Sequence, residues 1–186
     1  MNIAVYCGAN AGNNNIYTDN AIELANWISN NDNTLVYGGG NVGLMGLIAD
    51  KVLENGSPVI GVMPKFLIDR EIAHQGLTEL HTVDTMHERK AKMISLSDCY
   101  IALPGGPGTL EEITEVICWG RLGQHSNPCI LFNVNGYYDL LASQYDLMVS
   151  EGFLSKSDRE KILFTDSFEE ISDFIESYEA PLVRTY

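Results

Sequence analysis

DCYIALPGGPGTLEEITEVICWG, residues 98–120, joins an apolar run to a helical pattern through a turn of glycine and proline. CYIAL is continuously apolar, as a strand buried on both faces must be. Beyond the turn, Ile113, Val116 and Ile117 recur at helical spacing. Strand, glycine turn and helix in this order are half of a βαβ unit. The fold then depends on whether the rest of the chain repeats it.

It does. NIAVYC (2–7), TLVY (34–37), PVIGVM (58–63), ELHTVD (79–84), CYIALP (99–104), PCILFN (128–133) and KILFT (161–165) read as strands. Helical patterns fall at 15–30, 43–54, 86–97, 109–121, 137–152 and 168–178. In the first of these, Ile22, Ala25 and Trp27 are among the apolar positions. Such alternation predicts an α/β fold: a Rossmann-like, doubly wound sheet of about seven mostly parallel strands flanked by helices. No Pro/Gly-rich linker divides the chain, so one domain over 1–186 is expected. The least regular segment, PKFLIDREIAHQGLT (64–78), reads as a surface loop or a loop over a site.

Composition narrows the function. The chain has 186 residues, 25 acids against 11 bases and a formal charge of −14. That balance argues against a nucleic-acid binder, which needs a basic footprint. No apolar run approaches a membrane span and MNIAVYCG has no basic leader, so a cytoplasmic protein is expected. Cys7, Cys99, Cys118 and Cys129 form no CxxC pair, and three of them lie in strand-like runs. Free thiols in a reducing compartment follow. His74, His81, His87 and His125 match no metal-ligand spacing, and no metal site is predicted.

Glycines collect where strands end: Gly8, the run Gly38, Gly39 and Gly40, and then Gly105 and Gly106. Ligands of open α/β sheets bind outside the carboxyl ends of the strands. The helices that follow turn their N-termini, with free N–H groups, to the same edge. GGGNVG (38–43) fits the dinucleotide pattern only weakly. It follows the second strand, and PVIGVM ends without the ribose-binding acid. Tight turns alone would explain one or two of these glycines, and Gly43 and Gly46 would serve close packing. The turn 104–109 reads better as an anion cradle. Gly105 and Gly106 let the chain turn sharply and bring backbone amides near a phosphate, Pro107 needs no donor there, and Gly108 and Thr109 begin the helix. Thr109 either adds a hydroxyl to the anion or caps the helix.

Glu111 and Glu112 then fall in the first helical turn. The helix dipole favours acids there, yet a phosphate turn does not. One of them is therefore expected to have another task. Glu112 and Glu115 share a helical face with Trp119. MHERKAKM (86–93) carries Arg89, Lys90 and Lys92, three of the 11 bases, at another helix start. Arg89 and Glu112 are expected to meet across neighbouring strand exits.

Here the sequence resembles the Lonely Guy family of cytokinin-activating phosphoribohydrolases, many of which carry an older lysine decarboxylase label. PGGPGTLEE (104–112) is similar to the family's PGGxGTxxE, and MHERKAKM to its upstream helix start. CGAN (7–10), YGGGNVGLMG (37–46), GVMP (61–64), REI (70–72) and NVNGYYDLL (133–141) resemble family segments as well, so the likeness covers almost the whole chain. The resemblance implies hydrolysis of the N-glycosidic bond of a nucleoside 5′-monophosphate, without a cofactor, by a homodimer or larger oligomer. It implies Arg89 and Glu112 as the catalytic pair. It implies substrate contacts at Glu71, Lys90, Cys118 and the segment that runs from Gly106, Pro107, Gly108 and Thr109 to Glu112. Gly8, Gly39, Gly40 and Gly105 join these candidates from their place at the strand ends, and Glu115 from the face it shares with Glu112. Ala9 and Asn10 replace the family's paired serines, and Cys118 stands where some plant members have Thr. Decarboxylation would need pyridoxal phosphate on a lysine. Lys90 and Lys92, on a basic helix beside an anion turn, read as phosphate or structural partners instead. The alternative class is a non-catalytic nucleotide or molybdenum-cofactor carrier of the same fold, to which the Arg89–Glu112 pairing would be superfluous.

Overall fold

Each expected strand forms in the computed structural model, which describes residues 1–68, 70 and 73–182. They are β1 (Asn2–Tyr6), β2 (Thr34–Tyr37), β3 (Val59–Pro64), β4 (Glu79–Val83), β5 (Cys99–Ala102), β6 (Cys129–Phe132) and β7 (Ile162–Thr165). They form one sheet in the order β4-β3-β2-β1-β5-β6-β7, and every pairing is parallel. The central strands are buried on both faces because helices cover each side. Ile3 and Val5 of β1 enter one core cluster, while Ala4 and Tyr6 enter the other.

The helices are α1 (Asn15–Asn30), α2 (Gly43–Glu54), α3 (Lys65–Ile68), α4 (Met86–Leu96), α5 (Pro107–Arg121), α6 (Asp139–Ser150), α7 (Lys156–Arg159) and α8 (Phe168–Glu176). Residues of α1, α2 and α8 pack in the first cluster, and those of α4, α5 and α6 in the second. The buried stripe of α1 is Ala21, Leu24, Ala25 and Ile28. Trp27 lies beside that stripe, half-buried and stacked on Phe168 at 6.1 Å. The irregular segment after β3 holds α3. Further on, Ala73 forms an isolated antiparallel bridge with Gly40.

Strand order differs from one expectation. β4 and β5 are not neighbours, because β4 is the sheet edge and β3, β2 and β1 lie between. The chain steps outward from β1 to β4. Helix α4 then carries it back, packing on β3, β2 and β1, before β5 pairs with β1 on the other side. β1 and β5 are thus the adjacent strands whose connections leave in opposite directions. That divergence opens a crevice at their carboxyl ends.

Candidate active site

The crevice is a cavity of about 400 Å³ above β1 and β5. Its floor joins the loops after these strands. The Gly8 N–H donates to the Pro104 carbonyl at 3.2 Å, and the Leu44 N–H at the start of α2 donates to the Gly8 carbonyl at 3.1 Å. Gly43 makes that crossing possible: φ is +57°, and a Cβ would lie 2.3 Å from the Ala9 carbonyl carbon. Only glycine fits both conditions.

Helix α5 starts at Pro107, with Gly106 as N-cap and no side chain capping it. This corrects two expectations. Thr109 is not the cap but a buried residue inside the first turn, and Glu111 and Glu112 lie in the second turn rather than the first. Pro107 starts the helix earlier because its fixed φ suits the first helical position and its missing N–H costs nothing there. The uncapped N–H groups of Gly108 and Thr109 are left for a ligand, together with the positive end of the dipole. The acids stand far enough along the helix to spare that end.

Glu112 points into the cavity and pairs with Arg89, Nη1 to Oε1, at 3.2 Å. Both side chains are only 11% exposed. Burial pushes the Glu112 carboxyl above the ordinary glutamate range, and Arg89 pulls it back. A thrice-anchored arginine serves that purpose. Its backbone N–H donates to Thr85 O at 3.1 Å, its Nε donates to Val62 O at 3.2 Å, and its guanidinium lies against Gly38. A Cβ on Gly38 would lie 2.0 Å from Arg89 Nη2. The glycine run after β2 therefore makes room for an arginine from another helix. The rest of the run faces the returning loop. Gly39 O accepts the His74 N–H at 3.1 Å, and Gly40 bridges Ala73. Neither Gly39 nor Gly40 lines the cavity.

Lys90 takes a second set of acids. Its buried ammonium pairs with Glu111 and, at 2.9 Å, with Glu115. Burial opposes its charge, but the two carboxylates outweigh that and raise its pKa. Lys90 and Glu115 thus lock α4 to α5 behind the cavity rather than lining it. Glu112 and Glu115, three residues apart, divide between Arg89 and Lys90. Cys118 is exposed on α5 and Pro107 is exposed at its start, both outside the cavity wall. Glu71 lies outside the described residues.

The structure adds cavity residues that spacing did not single out: Cys7, Tyr17, Leu44, Met45, Met86 and Tyr137. Tyr17 and Met86 sit in the first turns of α1 and α4. Tyr137 follows β6, so its position at the carboxyl edge was a readable signal. The buried Cys7 thiol is pushed well up by desolvation and the Glu112 charge, which leaves it a wall rather than a nucleophile. Among the described residues, no cluster of His, Cys, Asp or Glu is placed to hold a metal ion. None of the helices there is long and apolar enough to cross a membrane.

Known proteins resemble the chain throughout. The family model described as possible lysine decarboxylase matches residues 45–175. The cytokinin riboside 5′-monophosphate phosphoribohydrolase LOG1 of Arabidopsis thaliana is 49% identical over 176 residues, 95% of this chain and 83% of that protein. LOG2 of the same plant is 46% identical over 176 residues, with the same shares. Among solved structures, the molybdenum cofactor binding protein of Rippkaea orientalis superposes with a TM-score of 0.69 at 22% identity, covering 95% of each chain. The Moco carrier protein of Chlamydomonas reinhardtii gives 0.69 at 18%, covering 94% of each. At such identities the likeness is one of fold alone.

Proposed function

Because the chain belongs to the Lonely Guy family, matched by the possible lysine decarboxylase model, we propose that it is a nucleoside 5′-monophosphate phosphoribohydrolase. It hydrolyses the N-glycosidic bond of AMP or a cytokinin riboside 5′-monophosphate, giving free base and ribose 5-phosphate. One observation carries the reading. The Arg89–Glu112 pair lines the same cavity as an uncapped, glycine-led helix start.

The 5′-phosphate sits at the amides of Gly106, Gly108 and Thr109, where the helix dipole favours an anion. That seats the ribose toward Glu112. As the bond to the base breaks, positive charge develops on the sugar. A carboxylate held in a water-poor pocket stabilises that charge strongly. Glu112 can also orient the attacking water. Arg89 opposes the burial of Glu112 and favours its ionised form. The apolar wall of Leu44, Met45 and Met86 suits a planar base or a prenyl group.

The protein works as a cytoplasmic homodimer in this reading. All four cysteines are free thiols. Leu110 on α5, Leu122 just past its end, Leu140 and Leu147 on α6, and Phe153 just beyond are exposed apolar residues around helices that pack on one face of the sheet. They offer a second copy a surface.

The decisive measurement is base release from a nucleotide panel by chromatography. Glu112→Gln should keep nucleotide affinity and lower turnover by about 100-fold or more, within the range for a lost acid–base group. Parent-rate cleavage by the folded variant would remove Glu112 from the mechanism. Nucleotide binding without base release by the unmutated protein would leave a carrier.

A further inference from the structure

An anion turn must hide its carbonyls as well as present its amides. A carbonyl oxygen facing a phosphate would repel it. The carbonyls of residues 103–106 are each engaged. Leu103 O accepts from the Tyr138 hydroxyl at 2.7 Å, and Pro104 O accepts from the Gly8 N–H at 3.2 Å. Gly105 O accepts from the Tyr137 hydroxyl at 2.5 Å, and Gly106 O accepts from the Leu110 N–H at 3.2 Å. Two of the four donors are adjacent tyrosines from another loop.

Their local geometry differs. Tyr138 is 4% exposed, and its hydroxyl holds the strand end within the core. Tyr137 is 46% exposed and lines the cavity. Its ring stands edge-on to Tyr17 at 5.9 Å and to Tyr138 at 5.1 Å, so the phenol is held from two sides. The loop below it is preset by a turn, Val134–Gly136, in which Asn135 is left-handed at φ 53°. The Asn133 side chain accepts the Tyr138 N–H at 2.6 Å, fixing the tyrosine pair in place.

We propose that Tyr137 is a positioning residue for phosphate binding, resting on the reading of the 104–109 turn as the phosphate site. Its hydroxyl donates to Gly105 O and so fixes the plane of the Gly105–Gly106 peptide. A peptide's C=O and N–H point in opposite directions, so holding one aims the other. The aimed group is the Gly106 N–H. The same bond draws negative charge from a carbonyl that a dianion would otherwise meet. The neighbouring residues cannot do this. Gly105 and Gly106 have no side chain, and Pro107 has no N–H.

The test is Tyr137→Phe, which keeps the ring against Tyr17 and deletes only the donor. Ribose 5-phosphate affinity by calorimetry should weaken about three- to tenfold, the worth of one hydrogen bond. KM for AMP should rise by a similar factor while kcat stays within about twofold, as loss of uniform binding requires. Affinity for free adenine, which lacks the phosphate, should not change. Unchanged ribose 5-phosphate affinity would overturn the proposal. So would equal losses for adenine and ribose 5-phosphate, which would make Tyr137 a wall of the pocket and no more. Wild-type protein that binds adenine but not ribose 5-phosphate would overturn the phosphate site itself, and the brace with it. Circular dichroism and the thermal midpoint should match the parent.

Discussion

At the residue scale, the site rests on a charge held where charge is costly. Burial holds the Glu112 carboxyl above its ordinary range, with Arg89 opposing. A carboxyl with a raised folded pKa favours the folded state at low pH. That contribution is lost as pH climbs from the unfolded pKa through the folded one. The stability of the parent relative to Glu112→Gln should therefore fall as pH rises from about 4, the ordinary glutamate range, upward through the raised folded value. Denaturant titrations across that range would reveal it, and a pH-independent difference would argue against a buried, raised carboxyl. Gly38 gives a second prediction. A methyl there would occupy the space of the Arg89 guanidinium, 2.0 Å from Nη2. Gly38→Ala should displace Arg89 and cut kcat about 100-fold, the cost of misplacing a group by roughly 1 Å. Nearly unchanged kcat would mean that Arg89 tolerates another path.

Among the elements, α4 and α5 matter most, because each brings one partner of the pair. Helix α4 begins in a capping box: Thr85 Oγ1 accepts the Glu88 N–H at 3.1 Å, and Glu88 Oε2 accepts the Thr85 N–H at 3.2 Å. Arg89 sits one residue beyond, in the turn the box fixes. Thr85→Ala should cost about 1 kcal/mol of stability. It should reduce activity less than Gly38→Ala, because Val62 O still holds the Arg89 Nε. Chemical denaturation beside kcat measurement would separate the two effects. The early start of α5 was legible in part. Pro107 is a familiar first helical residue, but the sequence also allowed Thr109 as a cap. The short helices α3 and α7 carried no readable signal, since four residues hold too little periodicity.

For the whole molecule, topology makes the site. Sheet order places the β1 and β5 exits side by side, and Arg89, at the start of α4, reaches toward them past Val62 of β3 and Gly38 at the end of β2. The exposed apolar residues of α5 and α6 predict self-association. Light scattering on a sizing column should give twice the 20.6 kDa chain mass. Leu147→Glu combined with Phe153→Glu should yield monomer, because burying two charges in an apolar contact is unfavourable. A parent that elutes as monomer at all accessible concentrations would exclude the dimer.

The sequence by itself determined the α/β class, all seven strands and the glycine turns at the carboxyl edge. Each of these is written in local patterns of apolar spacing and turn chemistry. It also singled out Arg89 and Glu112, through the anomaly of acids near a phosphate turn and a base at a helix start. Tertiary structure alone decided how they meet. The edge position of β4, the cleared space at Gly38 and the pairing of Lys90 with Glu111 and Glu115 all depend on contacts between distant segments. So does the brace of Tyr137 on Gly105. A residue's neighbours in the chain fix its backbone preference, but the buried charges and hydrogen bonds of a site depend on which surfaces the sheet brings within a few ångströms.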